Sequence, residues 1–484
     1  MKIKYYLMVM ATVAITKTSF AQYSRDAILF STSQPGSTSR IKAIGNAQMA
    51  VGGDLSSVSG NPAGIGFFTR SELSITPEFN ATDTKSTYLG QSNSGKSNNV
   101  NFNNAAVVFY TRLNTPRGQD KSKGWLSVNW GASYNRTNNF YQNTYYSGVN
   151  TNSSVTDYYT SLANQALDQG YSLDGYLEGW AYNQGLINFN TGADQYQPSG
   201  AFGGTQTNRT TSSGGQTELN LSMGANYSNK LYLGLGLGFT TIRYNTTTNF
   251  SEDNVTLANR QYVANYSFDQ ATRGNGFNAR LGFIYKPVNA LRIGATLTTP
   301  TWYTVDDVSS EGLATQYAGS ARMSDGDTYQ TQYNLRTPLK VAGGLAIFVG
   351  KYGFITGDVE YLDYSNTKLT SNEYNVDNDN RDIRTLYRST VNARAGAEAR
   401  IAGALFFRGG YGIQGNPLKQ NGSDIKTASG GLGYRFGNYY IDATYTHVTT
   451  KQNVQPYDIG VQYSPVAALQ RKGDNAYLTL GIRF

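Results

Sequence analysis

From Glu218 to Tyr227 the chain alternates strictly. Leu219, Leu221, Met223, Ala225 and Tyr227 share one parity, and Glu218, Asn220, Ser222, Gly224 and Asn226 share the other. After a two-residue turn at Asn229-Lys230 the pattern resumes, with Leu231, Leu233, Leu235, Leu237 and Phe239 set against Tyr232, Gly234, Gly236, Gly238 and Thr240. Successive side chains of a strand point to opposite faces, so each segment is a strand with one apolar and one small or polar face. The same reading holds for Leu126–Tyr134, Phe277–Tyr285, Leu291–Leu297, Leu339–Ile347 and Val391–Ala399. A last strand carries Ala476, Leu478, Leu480, Ile482 and the terminal Phe484. With two less regular strands, at about 71–82 and 98–112, the pattern predicts fourteen.

A soluble sandwich also alternates, so the connections decide. Short turns near Asn229, Asn289, Lys351, Gly403 and Asn438 alternate with long polar stretches at roughly 139–215, 251–274, 303–330, 366–386, 415–426 and 449–473. Short turns at one end and long loops at the other mark an all-β transmembrane barrel. An even number of antiparallel strands returns both termini to one side, and a terminal Phe484 on the apolar parity fits the signal read by outer-membrane barrel-assembly machinery. Arg280, Arg292, Asp358, Glu360, Arg394, Glu398, Arg400, Arg408, Arg435, Asp442 and Arg483 all share parity with the small residues. On a lipid face each would cost about 2–4 kcal/mol near the midplane, so they belong in the lumen.

Fourteen strands enclose more space than side chains fill, about eight being the filled limit. The lumen therefore holds an inner segment or is an open channel. Ile41–Phe68 is rich in Gly, Ala and Ser, shows no sustained alternation and contains the compact Asn61-Pro62-Ala63-Gly64. It reads as a plug inside the barrel, or as a loop lying on a surface. Two helices are expected within the longest loop. Tyr159, Leu162, Ala163, Ala166 and Leu167 follow helical spacing, as do Leu173, Tyr176, Leu177, Trp180 and Ala181, with Asp157 and Ser172 as N-caps. Their apolar faces either pack on one another or form an outward groove for an apolar ligand.

Composition narrows the chemistry. The 484 residues contain no Cys and a single His, which excludes disulfides, thiolate–metal sites and His-rich metal centres. No nucleophile elbow or other hydrolase constellation is present, so no catalytic residue, metal ligand or cofactor is assigned. Residues 1–21 read as a secretory signal: Lys2 and Lys4, an apolar Tyr5–Ile15, then Ser19-Phe20-Ala21 before the cleavage point. Removing Lys2, Lys4 and Lys17 lowers the formal charge from +8 to +5. That excess has no basic run behind it, and nucleic acid is not a partner. No later stretch approaches the roughly 20 apolar residues of a spanning helix.

Arg40–Gly66 resembles the N-terminal hatch of the FadL/TodX-type outer-membrane transporters of long-chain fatty acids and other hydrophobic compounds. The likeness rests on the small-residue stretch, the acidic Asp54 and the Asn61-Pro62-Ala63-Gly64 turn that follows. Looser matches run in order along most of the chain: Thr299-Pro300-Thr301-Trp302, Leu335–Asp363 with its Thr337-Pro338, Gly412–Pro417 and Tyr445-Thr446-His447. The resemblance implies a 14-stranded barrel (71–484) in the outer membrane of a Gram-negative bacterium, blocked by a hatch (22–70). It further implies protruding loops, here 156–186, that catch an apolar ligand, and sideways release through a kinked strand. On that reading Leu173, Tyr176, Leu177 and Trp180 are ligand-binding candidates. Arg280, Arg394 and Arg408 are candidates for a fatty-acid carboxylate or else pair with Glu398, Glu360 and Asp442, and Gly131 is the kink candidate. A general porin for polar solutes, and a surface adhesion or haem-binding protein, are the alternatives. The lone His447, expected in the lumen or a loop, makes His ligation of haem thin, although Tyr also binds haem iron.

Overall fold

The computed structural model describes residues 21–34, 36–114, 120–401, 403–420, 422–460 and 462–484; the signal reading for residues 1–21 lies almost wholly outside them. Fourteen antiparallel strands close into a barrel. They are β1 (Glu72–Tyr88), β2 (Gln91–Phe109), β3 (Trp125–Asn139, prolonged by Gln142–Asn150), β4 (Gly204–Tyr227), β5 (Leu231–Val255), β6 (Gln261–Val288) and β7 (Leu291–Thr298, prolonged by Trp302–Tyr317). They continue with β8 (Met323–Arg336, prolonged by Lys340–Val349), β9 (Gly353–Asp363), β10 (Ser389–Ile401), β11 (Leu405–Gln414), β12 (Ile425–Phe436), β13 (Tyr439–Val454) and β14 (Ala467–Arg483). The ring closes where β1 pairs with β14, from Glu72↔Arg483 to Tyr88↔Ala467. Among the described residues no helix is long and apolar enough to cross a membrane.

The wall is inside out relative to a soluble protein. On β4, Leu219 and Leu221 are each 49% exposed, whereas the intervening Asn220 is 0% exposed and Glu218 3%. Exposed Leu233, Leu235, Leu237 and Phe239 continue this outer face on β5, and Phe277, Leu281 and Phe283 continue it on β6. Such an inversion suits a closed sheet standing in hydrocarbon, where every backbone group must pair within the wall. The short turns are built for the twist. Ser228 and Asn229 both adopt positive φ, 53° and 54°, the two-residue geometry that matches the right-handed twist of a hairpin.

Several strands run much further than the alternation predicts. Residues 251–274 and 303–330, expected as loops, are largely hydrogen-bonded extensions of β5, β6, β7 and β8. Above the apolar belt the outer face meets water, while the inner face buries a mixture of polar and apolar residues such as Glu252, Asp307, Phe250 and Leu313. No two-residue hydrophobic period therefore marks these extensions. Helix α3 (Val155–Asp168) starts at Ser154 rather than Asp157. Ser154 accepts from Thr156 N, while Asp157 closes the capping box from the third helical position. The next helix, α4 (Leu177–Asn183), starts at Tyr176, and Ser172 instead accepts from Asp174 N in the preceding turn. A further helix, α5 (Asp377–Leu386), lies in a stretch read as plain loop.

Candidate functional site

Residues 21–34 and 36–68 lie against the inward faces of the barrel strands. A helix α1 (Ala21–Ser31) and a short helix α2 (Ser39–Ala43) lead into two 3-10 turns, Leu55–Val58 and Pro62–Phe67. Ile41, Ile44, Leu55, Val58 and Ile65 are all at most 1% exposed. The opposing wall is cut away with glycine. A Cβ at Gly294 would strike Met49 O, one at Gly396 Ile44 O, one at Gly410 Gly45 N, and one at Gly234 the Pro62 carbonyl carbon. The small parity of the wall strands is therefore a seat for backbone, contacted on β7, β10, β11 and β5 in turn.

The Asn61-Pro62-Ala63-Gly64 turn is placed by Asn61. Its side chain accepts from Ala63 N (3.1 Å), capping the second 3-10 turn, and donates to Met49 O (2.6 Å) and Phe283 O of β6 (3.2 Å). One amide thus ties the turn to its own segment and to the wall. Pro62 suits the first turn position because that N–H has no partner to lose. Gly64 donates to Asn61 O (2.9 Å) and accepts from Gly53 N (3.0 Å), and a Cβ there would meet Ser57 Oγ. Asp54 accepts from Ser56 N (3.0 Å) and Thr38 Oγ1 (2.8 Å), fixing the bend before it.

The wall answers with polar groups. Asp358 accepts from Gln48 N (2.6 Å) and Met49 N (2.9 Å); Asn129 donates to Ile65 O (2.8 Å); Ser222 donates to Val58 O (2.7 Å). Arg40 forms a bidentate pair with Glu398 of β10 (2.7 and 3.0 Å). Glu398 also takes Arg408 of β11 (2.7 Å), which reaches Asp442 of β13 (2.7 Å), and Asp442 takes Arg435 (3.0 Å). This charge ladder links the inner segment to four neighbouring strands, β10 to β13.

The three arginines predicted to meet a ligand carboxylate are therefore committed elsewhere. Arg280 pairs with Glu218 (2.7 Å), Arg394 with Glu360 (3.1 Å) and Arg408 with Glu398 and Asp442. Arg292, which the alternation places in the lumen without a role, differs. It lies between the rings of Phe67 (4.2 Å) and Phe348 (4.0 Å), donates to Val51 O and has no carboxylate partner among the described residues. His447 is also not where expected: it stands on the outer face, its Nδ1 2.7 Å from Asp474.

Above the latch the interior turns apolar. Ala27 and Phe30 of α1 pack with Phe140, Ile242, Tyr303, Val305, Tyr333, Leu335, Leu369 and Ile383. Higher still, Tyr159, Leu177, Trp180, Leu186, Phe250, Tyr262 and Leu313 form the core of the long loop. Of the predicted groove residues, Leu177 and Trp180 are thus buried in this core, Leu173 packs at its edge, and Tyr176 alone is well exposed, at 58%. The helices face the strand extensions as well as each other. A cavity of about 80 Å³ between α1 and the wall is lined mainly by polar groups, among them Glu218, Arg280, Lys340 and Glu360.

Among the described residues the ladder breaks off between β2 and β3. β1 and β2 pair along their whole length, but β2 and β3 pair only from Asn104↔Asn135 to Phe109↔Trp130. The register of β1 against β2 shifts at Thr76/Pro77, which leaves Asn103 and Asn104 as consecutive inward residues. Beyond the break β3 leaves the ladder, and its prolongation crosses the inner side of β2 and β1. There Asn143 Nδ2 donates to Lys96 O (2.7 Å) and Ser86 Oγ donates to Tyr145 O (2.5 Å). The inner segment takes over the edge left between. Gln34 N donates to Thr137 O (2.9 Å), Asn138 Nδ2 to Thr32 O (2.8 Å), and Asn103 Nδ2 to Ser37 O (2.5 Å). Gly131 is not the bend. Its register with Ser222 is regular, and its missing Cβ makes room for Val58 instead; β3 shifts against β4 at Arg136/Asn138.

No family model and no curated protein matches the sequence. Solved structures do. The chain is similar to the toluene transporter TodX of P. putida, at 12% identity and a TM-score of 0.54 over 93% of this chain and 99% of that one. A Pseudomonas aeruginosa FadL homologue matches at 13% identity and 0.54, with the same shares of both chains. The chain has the fold of the TodX and FadL channels. A further structure with this fold, the CymD monoaromatic hydrocarbon channel, aligns at 12% identity and 0.50 over 93% and 98%.

Proposed function

We propose that this chain is a non-enzymatic outer-membrane channel of a Gram-negative bacterium for small hydrophobic molecules, with residues 22–70 acting as its hatch. The broken ladder between β2 and β3 carries the reading. The outward Val100, Phe102 and Tyr134 beside the break belong to the apolar belt, so a molecule passing there goes from lumen to hydrocarbon without crossing water. A water-filled pore needs no such opening. The inner segment runs directly behind it, which lets one movement open the hatch and the side exit together. Transfer into lipid yields about 0.8 kcal/mol per methylene, so passive diffusion suffices.

Neutral compounds fit better than fatty acids, because Arg280, Arg394 and Arg408 already hold carboxylates of the protein. Phe484 at the end of β14 is available to the assembly machinery, its side chain 61% exposed. The polar lining of the cavity beside α1 favours the second reading, a porin for polar solutes. Proteoliposomes separate the two. Uptake of a monoaromatic hydrocarbon without swelling in sugar solutions is the expected result; swelling without hydrocarbon uptake would establish the porin instead.

A further inference from the structure

The outer wall carries a basic band that transport does not use. Cross-strand register places Lys426 of β12, Thr449 of β13, Lys472 of β14, Asp83 of β1 and Lys96 of β2 in one continuous row. The next row toward the loop end holds Lys451, Gln470, Lys85 and Ser94. All five lysines share parity with outward apolar residues of their own strands: Leu432, Tyr445, Leu478, Phe79 and Val100. Four of them are exposed and Lys472 is half-buried. None forms an ion pair among the described residues, while Asp474, one row toward the turns, is taken by His447. The row holds one acid, Asp83, in register with Lys472 and Lys96, so five lysines of the two rows stand against one carboxylate. At Arg243 and Arg273 of β5 and β6, two arginines stand against Asp306 in register with Arg273.

Position gives the band its meaning. Two residues below it the row reads Ala428, His447, Asp474, Ala81 and Asn98, and two below that Gly430, Tyr445, Ala476, Phe79 and Val100, where the apolar belt begins. Lysine stems reach along apolar surface while their ammonium groups stay in the polar layer. Lys426 and Lys472 are two strands apart, as are Lys472 and Lys96, a spacing of about 10 Å at some 4.8 Å per strand. Ammonium groups at that interval, directly above an apolar face, match an amphiphile with two phosphates on its headgroup and acyl chains running down the wall. Lysine serves as a point charge for phosphate.

We infer that the β12–β2 face binds a phosphorylated lipid of the outer leaflet, with Lys96, Lys426 and Lys472 holding the headgroup phosphates. The inference rests on the membrane placement proposed above. The test uses the full chain folded in dodecyl maltoside, titrated with diphosphoryl lipid A, with its dephosphorylated form and with inorganic phosphate, and read by native mass spectrometry. Lipid A adducts are expected to persist, the dephosphorylated form to bind weakly, and inorganic phosphate not to compete. The K96Q/K426Q/K472Q variant should lose affinity by roughly tenfold or more, each near-surface lysine being worth about 1 kcal/mol toward anionic lipid. R336Q/K368Q, on the exposed rim at β8, should bind as the unaltered protein does. Equal binding of the dephosphorylated lipid, or an unchanged triple variant, would overturn the site; effective competition by inorganic phosphate would make it a free-phosphate site and overturn the lipid. If the triple variant fails to fold, K96Q and K96R take its place, with loss in the first and retention in the second expected, and equal behaviour counting against the site. Heat-dependent gel mobility reports the barrel itself, so a chain that is water-soluble without detergent would instead sink the membrane placement.

Discussion

The two ends of the lumen are held by different forces. Toward the short turns, the inner segment sits on glycine-faced strands and is fastened by Asp358, Asn129, Ser222 and the Arg40–Glu398–Arg408–Asp442–Arg435 ladder. Toward the loops, α1 and the long loop are held by side-chain packing around Phe30 and Trp180. Polar latches exchange with water at little net cost, since a hydrogen bond contributes only about 1 kcal/mol net. Apolar packing exchanges with an apolar ligand. On the function proposed above, the upper part admits what is hydrophobic and the lower part keeps water and ions out until the segment moves.

The strongest way to break that division is to fill the seat. Gly410→Val places side-chain atoms where Ile44 and Gly45 run, and should turn a closed barrel into one with steady ion conductance in planar bilayers. A variant that stays closed would mean the segment is not the stopper. Next comes the ladder. Arg408→Met leaves Glu398 and Asp442 buried without their shared cation and should cost about 3–5 kcal/mol, measured from urea midpoints in micelles. Arg408→Lys should recover part of that loss, since Glu398 and Asp442 keep Arg40 and Arg435 and regain a cation between them. No recovery would show that the two-way reach of the guanidinium, not its charge, holds the site. Trp180→Ala should cost about 3 kcal/mol, confined to the loop. Hydrogen exchange should then quicken across 155–187 while the barrel strands keep their protection.

The smallest effect expected is with pH. Asp26 of α1 and Asp379 of α5 are pushed up from 3.8 to about 7 by burial, and Asp379 accepts from Ser24 N (3.1 Å). Folded, they keep protons that the unfolded chain releases above pH 4. The contact between α1 and α5 is therefore firmest in acid and weakens as pH rises through 7. Protection factors in residues 21–31, exchange rates corrected for the intrinsic rate at each pH, should be lower at pH 8 than at pH 5.5, and Asp379→Asn should reduce the difference. An unchanged difference would remove Asp379 from the account.

Lipid explains why so much of the barrel was legible. A wall between hydrocarbon and a filled lumen must alternate, so Leu219–Tyr227 and Leu231–Phe239 announce their faces directly. The fourteen strands follow, and glycine on the inner parity already marks a close-approach surface. Where the outer face leaves lipid for water and the inner face mixes polar with apolar contacts, the period fades, and the extensions of β5, β6, β7 and β8 read as loop. Helix α5 went unseen because its run Asp377–Leu386 is polar on nearly every position, with Ile383 alone buried among its apolar residues. The side break left only the paired Asn103-Asn104 and Pro77 as traces, since a register shift depends on the partner strand. Gly131 was misassigned because a glycine inside a strand serves close packing as readily as a bend.

The central claim is that the inner segment must leave its seat for a hydrophobic molecule to pass. Ser39 Oγ and Thr444 Oγ1 lie 2.7 Å apart, one on the segment and one on β13, and the chain has no cysteine of its own. Ser39→Cys with Thr444→Cys therefore gives a disulfide that pins the segment without background thiols. Uptake of a monoaromatic hydrocarbon into proteoliposomes should be lost when the pair is oxidised and return on reduction. Equal uptake in both states would contradict the account.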